Sequence, residues 1–232
     1  MSIEPFEIYQ ILYEKLGKQN WWPIDKNYHR KNKSDPRFEI IVGAILTQNT
    51  AWGNVEKALN NLKKHNFLNI SKILEIDLKS LKENIQPSGF FNQKASRLKT
   101  IAIFLQESYG GDLYEFFELD TNRIRNELLA LNGIGPETAD SILLYAGNHP
   151  VFVIDAYTKR ICKRLPININ FKNYDDIRYF FEKKIINKIE KDEVVEIFKE
   201  LHSLIVNLAK NYCMIKPNCL NCPLSQTCRK KI

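Results

Sequence analysis

Leu131-Asn132-Gly133-Ile134-Gly135-Pro136-Glu137-Thr138-Ala139 decides the fold. Two glycines followed by a proline read as a corner between two helices. Upstream, Asp120 or Thr121 can cap a helix that runs to Leu131. Downstream, Pro136 suits the first turn of a second helix, expected to reach about Gly147. Glycines supply positive φ and let another backbone come close. The free N–H groups near Pro136 and Thr138 can meet an anion. A corner of this kind holds a DNA phosphate without reading base sequence. A plain helix–helix corner is the competing reading, and the two glycines alone do not separate them.

Working outward, helical periodicity dominates. Phe6, Ile8, Ile11, Leu12 and Leu16 fall on one helix face, and Phe38 to Leu46 reads as a buried helix. Val55, Ala58, Leu59 and Leu62 make a further stripe, and Ala95, Leu98, Ala102 and Leu105 another. Helices also fit Asp155 to Arg164, Tyr174 to Ile189 and Glu193 to Ala209. Only Val151 to Ile154 reads as a strand, and four residues make no sheet. The expected fold class is all-α. The polar run from Asn27 to Asp35 is the expected early loop or boundary, and Asn168 to Asn173 a second loop.

The totals narrow the function classes. The chain has 232 residues, enough for one large or two small domains with a true core. Net charge is +7 and the isoelectric point about 9.0, which favours a polyanionic partner. The first residues lack the apolar core of a secretory signal, and the longest apolar stretch, Ile40 to Leu46, cannot span a bilayer. A soluble, cytoplasmic monomer with no membrane partner is expected. The spacing shows no Walker loop, dinucleotide fingerprint or Ser/His/Asp arrangement. His29, His65, His149 and His202 have no metal spacing, and His202 reads as a structural residue on an apolar helix face.

Four of the five cysteines crowd near the C-terminus as Cys213-x5-Cys219-x2-Cys222-x5-Cys228. In a reducing compartment such a cluster more often holds metal than disulfides. By count alone, four thiolates suit zinc and [4Fe–4S] equally. Lys210, Lys216, Arg229, Lys230 and Lys231 surround the loop as phosphate contacts or as a solvated basic tail. The fifth, Cys162, reads as a buried core thiol. Asp155 follows the apolar run and opens a helix, the position of an N-cap.

In this order, Leu-x-Gly-Ile-Gly-x-x-Thr-Ala from Leu131, Val-Ile-Asp-Ala-Tyr-x-x-Arg-Ile from Val153 and the four-cysteine loop resemble the helix-hairpin-helix glycosylases of the endonuclease III superfamily. The resemblance runs from about residue 36 to 228. It implies a six-helix barrel over 36–149 that ends in the hairpin. Residues 1–35 and 150–232 would form a second helical lobe carrying the cysteine loop. It implies a [4Fe–4S] cluster on Cys213, Cys219, Cys222 and Cys228, although the first gap is one residue shorter than the family's usual six; zinc is the alternative. It also implies that double-stranded DNA with a flipped, damaged base is the partner. Gly133, Gly135 and Thr138 would contact DNA, and Gln48 would enter the base stack. Asp155 would be the catalytic carboxylate. Beside the sugar it stabilises oxocarbenium character and orients or deprotonates the attacking water.

Family members with lyase activity carry a Lys where this chain has Glu137. A carboxylate cannot form a Schiff base, so a monofunctional enzyme that leaves an intact abasic site is expected. Lys159 and Lys163 lie on the helix after Asp155, as a DNA-facing or solvated surface. Glu137 also favours a cationic base, and alkylated adenine is one. Electron-rich rings select such a base by stacking. Trp52 lies one helical turn past Gln48, and Trp21 and Trp22 precede Pro23. With Glu137 and Asp155 they resemble the 3-methyladenine glycosylase branch, with Trp21 and Trp22 left as equal candidates for the second ring. Two other functions remain open at this point: a mismatch thymine or uracil glycosylase, and a non-catalytic, cluster-bearing DNA-binding protein.

Overall fold

Asp35 and Pro36 explain where the most buried helix begins. The Asp35 carboxylate accepts the Arg37 N–H, and Pro36 occupies the first turn, where no N–H is needed. From there every residue from Phe38 to Leu46 is buried. The same logic of a capping acid or amide before an apolar stripe recurs along the chain. A computed structural model describes residues 2–228, and Arg229, Lys230 and Lys231 lie outside them. Its helices are α1 (Pro5–Leu16), α2 (Lys26–Asn32), α3 (Pro36–Leu46), α4 (Trp52–Lys64), α5 (Ile70–Glu75) and α6 (Leu78–Ile85). They continue as α7 (Phe91–Tyr109), α8 (Leu113–Phe117), α9 (Thr121–Ala130), α10 (Pro136–Ser141), α11 (Ala156–Arg164), α12 (Tyr174–Ile186) and α13 (Val194–Asn211). Among the described residues none of these is long and apolar enough to cross a membrane.

The chain divides into two compact units, Trp22–Asn148 and Met1–Trp21 with His149–Ile232. The first boundary therefore falls at Trp22, not at Pro36. The polar run expected as a loop is largely α2, capped by Asp25, whose side chain accepts the Tyr28 N–H. No apolar stripe announces this helix, because a polar network anchors it. His29 Nε2 lies 2.6 Å from Glu39 Oε2, and Lys63 Nζ lies 2.6 Å from Glu39 Oε1, with His29 and Glu39 both buried. Buried charge of this kind is tolerated because each group has partners.

In the Trp22–Asn148 unit, α4 packs on α6, and α7 packs on α5 and α6. The stripes Val55, Ala58, Leu59, Leu62 and Ala95, Leu98, Ala102, Leu105 face inward, all buried. Asp120, not Thr121, caps α9, accepting the N–H groups of Asn122 and Arg123. The helix after the corner is not uniform: α10 gives way to a π-helical turn, Ile142–Ala146, which α3 packs against.

In the other unit, α13 packs on α1 and α11, and α1 also on α12. The expected strand at Val151–Ile154 is absent; no strand occurs among the described residues. The segment is instead a buried extended connector. Phe152 stacks on Phe181 of α12 at 4.9 Å and meets Phe198 of α13 edge-on at 5.5 Å. Side chains replace a partner strand: the Phe152 N–H donates to Glu182, and the Ile154 N–H to the Tyr174 hydroxyl.

Candidate active site and nucleic-acid interface

At the corner between α9 and α10, Gly133 has φ +85°, and a Cβ there would run into the Arg97 side chain. Gly135 differs. Its φ is −94°, ordinary extended backbone, and a Cβ would meet nothing within 4 Å. Positive φ is thus a requirement at Gly133 only. Gly133→Ala is expected to lose about 1–3 kcal/mol of stability through backbone strain and the Arg97 clash. Urea unfolding checks this, and an unchanged midpoint would refute the strained-turn account.

Three elements brace the corner. Gln48, just past α3, donates from Nε2 to the Gly133 carbonyl at 3.0 Å and to Thr138 Oγ1 at 2.9 Å. Its Oε1 accepts from Arg97 of α7. Arg125 of α9 holds the fully buried Asp140 of α10 at 2.7 Å. Gln48, Gly133 and Thr138, singled out separately in the sequence, are therefore one hydrogen-bonded group. In this conformation the Gln48 amide ties α3 to the corner.

No residue pattern marks in advance the side chain that holds the Thr47–Thr50 loop. Lys94 on α7 is buried, and its ammonium donates to the carbonyls of Leu46 (2.8 Å) and Ser88 (2.7 Å) and to Thr50 Oγ1 (2.8 Å). Burial first, then the nearby Arg97 charge, lowers its pKa to about 8. At the tip of this loop Asn49 has φ +52° and is exposed. Phe90, immediately before α7, has φ +46° and keeps 61% of its surface in solvent. An exposed ring in a strained backbone beside this loop is a second feature absent from the sequence reading.

The tryptophans separate clearly. Trp22 and Trp52 lie edge to face with centroids 5.3 Å apart, and Tyr145 joins Trp22 at 5.4 Å. The π turn carries Tyr145; such turns recur at functional sites. Gly43 of α3 makes room for the cluster, because a Cβ there would stand 2.7 Å from Trp22 Cζ2. Trp21 belongs to the other unit. Glu137 occupies the exposed first turn of α10.

Asp155 is the N-cap of α11. One oxygen, Oδ1, accepts both the Thr158 N–H (2.6 Å) and the Thr158 hydroxyl (2.8 Å). The other, Oδ2, lies 3.6 Å from Nε2 of His202 on α13. Burial opposes ionisation of the carboxyl. His202 and the Thr158 bonds outweigh it and hold Asp155 below the usual carboxylate range. Cys162 on the same helix is buried as expected, and burial pushes its thiol up to about 12, with the Asp155 charge contributing.

Among the described residues, none of the four loop cysteines forms a disulfide. Burial and the neighbouring Cys213, Cys228 and Cys219 push the Cys222 thiol up, so the four act on one another. Among the described residues no three His, Cys, Asp or Glu side chains converge tightly enough to hold one metal ion. Arg164, the last residue of α11, clasps both ends of the loop. Its guanidinium donates to the Cys213 carbonyl and sulfur and to the Met214 carbonyl, and its own carbonyl accepts from Cys228.

Among the described residues the chain is all-helical, with a glycine corner between α9 and α10 and Asp155 capping α11, an arrangement that fits the helix-hairpin-helix glycosylase class. The chain belongs to the HhH-GPD superfamily of base excision DNA repair proteins, which matches residues 42–186. It is therefore an endonuclease III-like DNA glycosylase of base excision repair, and DNA is its partner. A Methanocaldococcus jannaschii protein named as a DNA repair glycosylase is 47% identical over 97% of this chain and 96% of its own. Among solved structures, Helicobacter pylori 3-methyladenine DNA glycosylase bound to 1,N6-ethenoadenine matches with a TM-score of 0.68 and 29% identity, covering 90% of this chain and 98% of that one. A trapped endonuclease III–DNA covalent intermediate matches in fold, with a TM-score of 0.67 and 21% identity over 98% and 97%.

Proposed function

We propose that the protein is a monofunctional glycosylase that hydrolyses the glycosidic bond of flipped, cationic, alkylated purines of the 3-methyladenine type. The observation that carries this reading is the Trp22–Trp52–Tyr145 cluster. Electron-rich ring faces attract a cationic base, and more strongly once water is excluded. The similarity to the H. pylori 3-methyladenine enzyme supports it. Glu137 stands where a Schiff-base Lys would be needed, so hydrolysis by water replaces lyase chemistry. A cationic base is already a good leaving group and needs little general-acid help. Asp155, held ionised, stabilises the oxocarbenium-like sugar and orients or deprotonates the water. The corner at Gly133 to Thr138 holds a backbone phosphate. The protein acts as a monomer.

Cys213, Cys219, Cys222 and Cys228 would hold a [4Fe–4S] cluster. A single zinc draws its thiolates to about 2.3 Å of itself, and a cubane keeps its four thiolates further apart. The resemblance to the endonuclease III superfamily favours the cubane, with zinc as the alternative. The cluster would supply order to the loop, not chemistry at the sugar, and Arg164 would pass that order to α11.

The test is chromatography of bases released from methylated DNA, with uracil and T·G duplexes in parallel. Release of 3-methyladenine from an uncut strand is expected, with no borohydride-trapped complex. Release of uracil or thymine alone would replace this reading with a mismatch enzyme. A borohydride-trapped complex would overturn the monofunctional assignment.

A further inference from the structure

We propose that His202 is the positioning residue for Asp155, fixing which carboxylate oxygen acts and keeping it ionised. The inference rests on the reading of Asp155 as the reacting carboxylate.

The geometry divides the two oxygens of Asp155. Oδ1 is committed to Thr158, through its N–H and its hydroxyl together. Oδ2 is the oxygen left for a sugar or a water, and His202 Nε2 stands 3.6 Å from it. That distance is an ion-pair contact, longer than a hydrogen bond. Both side chains are only 11% exposed, so the interaction is poorly screened by solvent. Forty-seven residues of sequence separate them. The contact exists because α11 packs on α13. A carboxylate this buried would otherwise favour its neutral form.

The surrounding groups leave this role to His202. Along α11, Cys162 feels the Asp155 charge, but its thiol stays neutral across the working range. Towards α1, the charged group of α13 is Glu200, whose carboxylate accepts the backbone N–H groups of Gln19 and Asn20. Tyr9 of α1 lies near Glu200, and burial first, then Tyr13, Glu200 and Glu193, raises its pKa. Just before α11, the Ile154 N–H donates to the hydroxyl of Tyr174, the first residue of α12. His202 is the basic side chain recorded against Asp155.

The experiment uses the full chain labelled with carboxyl-¹³C aspartate, with Asp155→Asn to assign the resonance. Wild type, His202→Ala and His202→Gln are titrated without DNA. The Asp155 carbon is expected to titrate at higher pH in His202→Ala, with His202→Gln between. Single-turnover base release from methylated DNA should fall about tenfold or more in His202→Ala, most steeply at acid pH, with DNA affinity unchanged. His202→Gln, close in volume and still an N–H donor, keeps the test readable if the alanine variant unfolds. An Asp155 carbon that titrates identically in all three proteins would overturn the inference. Full activity of Asp155→Asn would instead overturn the catalytic role of Asp155, while the titration would still decide what His202 does.

Discussion

Asp155→Asn is expected to reduce single-turnover base release by about a thousandfold or more while DNA affinity is retained. The size follows from what is removed. A positioned carboxylate contributes through charge opposite the developing oxocarbenium and through its hold on water, and each effect reaches about two to three orders of magnitude. The substitution isolates that charge. Asn is as good an N-cap as Asp, and its carbonyl oxygen can still accept the Thr158 N–H and hydroxyl. Helix α11 therefore keeps its start, and the fold should survive. The depressed pKa of Asp155 adds a pH signature. Wild-type release should persist below neutrality and decline only as the pH falls through that lowered value. Asp155→Asn should show no such limb in whatever activity remains. Wild-type rates in this variant would reject the mechanism.

How much of this was legible beforehand depended on which force fixed each element. Helices α3, α4 and α7 announce themselves because apolar burial fixes them, and burial leaves a period in the sequence. Caps such as Asp35, Asp120 and Asn173 mark their starts by residue type. Helix α2 was invisible because a His29–Glu39–Lys63 network anchors it, and polar anchoring has no period. Val151–Ile154 read as a strand because a short apolar run is the same whether its N–H groups meet a neighbouring strand or the side chains of Glu182 and Tyr174. In the candidate site, residues defined by chemistry were singled out as candidates by type and order: Asp155, Gln48, the glycine corner and the cysteines. Partners defined by packing were not. His202 and Tyr145 have ordinary sequence surroundings, and only helix packing and the π turn give them neighbours.

Lys94 is the clearest such case, and its replacement carries the second large expected effect. Lys94→Met should lose about 2–3 kcal/mol of stability at pH 9–10, since the carbonyls of Leu46 and Ser88 are left without their donor. Near neutrality the loss should be smaller, because there the native lysine bears a buried charge. The sign follows from the lowered pKa. Between about 8, its folded value, and 10.5, its ordinary one, the unfolded chain binds the proton that the folded chain has released. Wild-type stability therefore gains up to about 1.4 kcal/mol per pH unit from this group across that window, and Lys94→Met gains nothing from it. A neutral amine keeps two N–H donors for its three acceptors, so only part of the bonding is surrendered in exchange. The gap between the two proteins should widen from pH 8 to 10 and stay flat below pH 7. Urea unfolding at pH 6, 7, 8, 9 and 10 measures it directly. A gap that is constant or narrows with rising pH would show that Lys94 is not a buried cation. The functional consequence runs through the loop it holds: with Leu46 and Thr50 released, Gln48 loses its fixed approach to Gly133 and Thr138. DNA affinity should then fall together with stability, although Lys94 itself, buried beneath the loop, offers no charge to a phosphate.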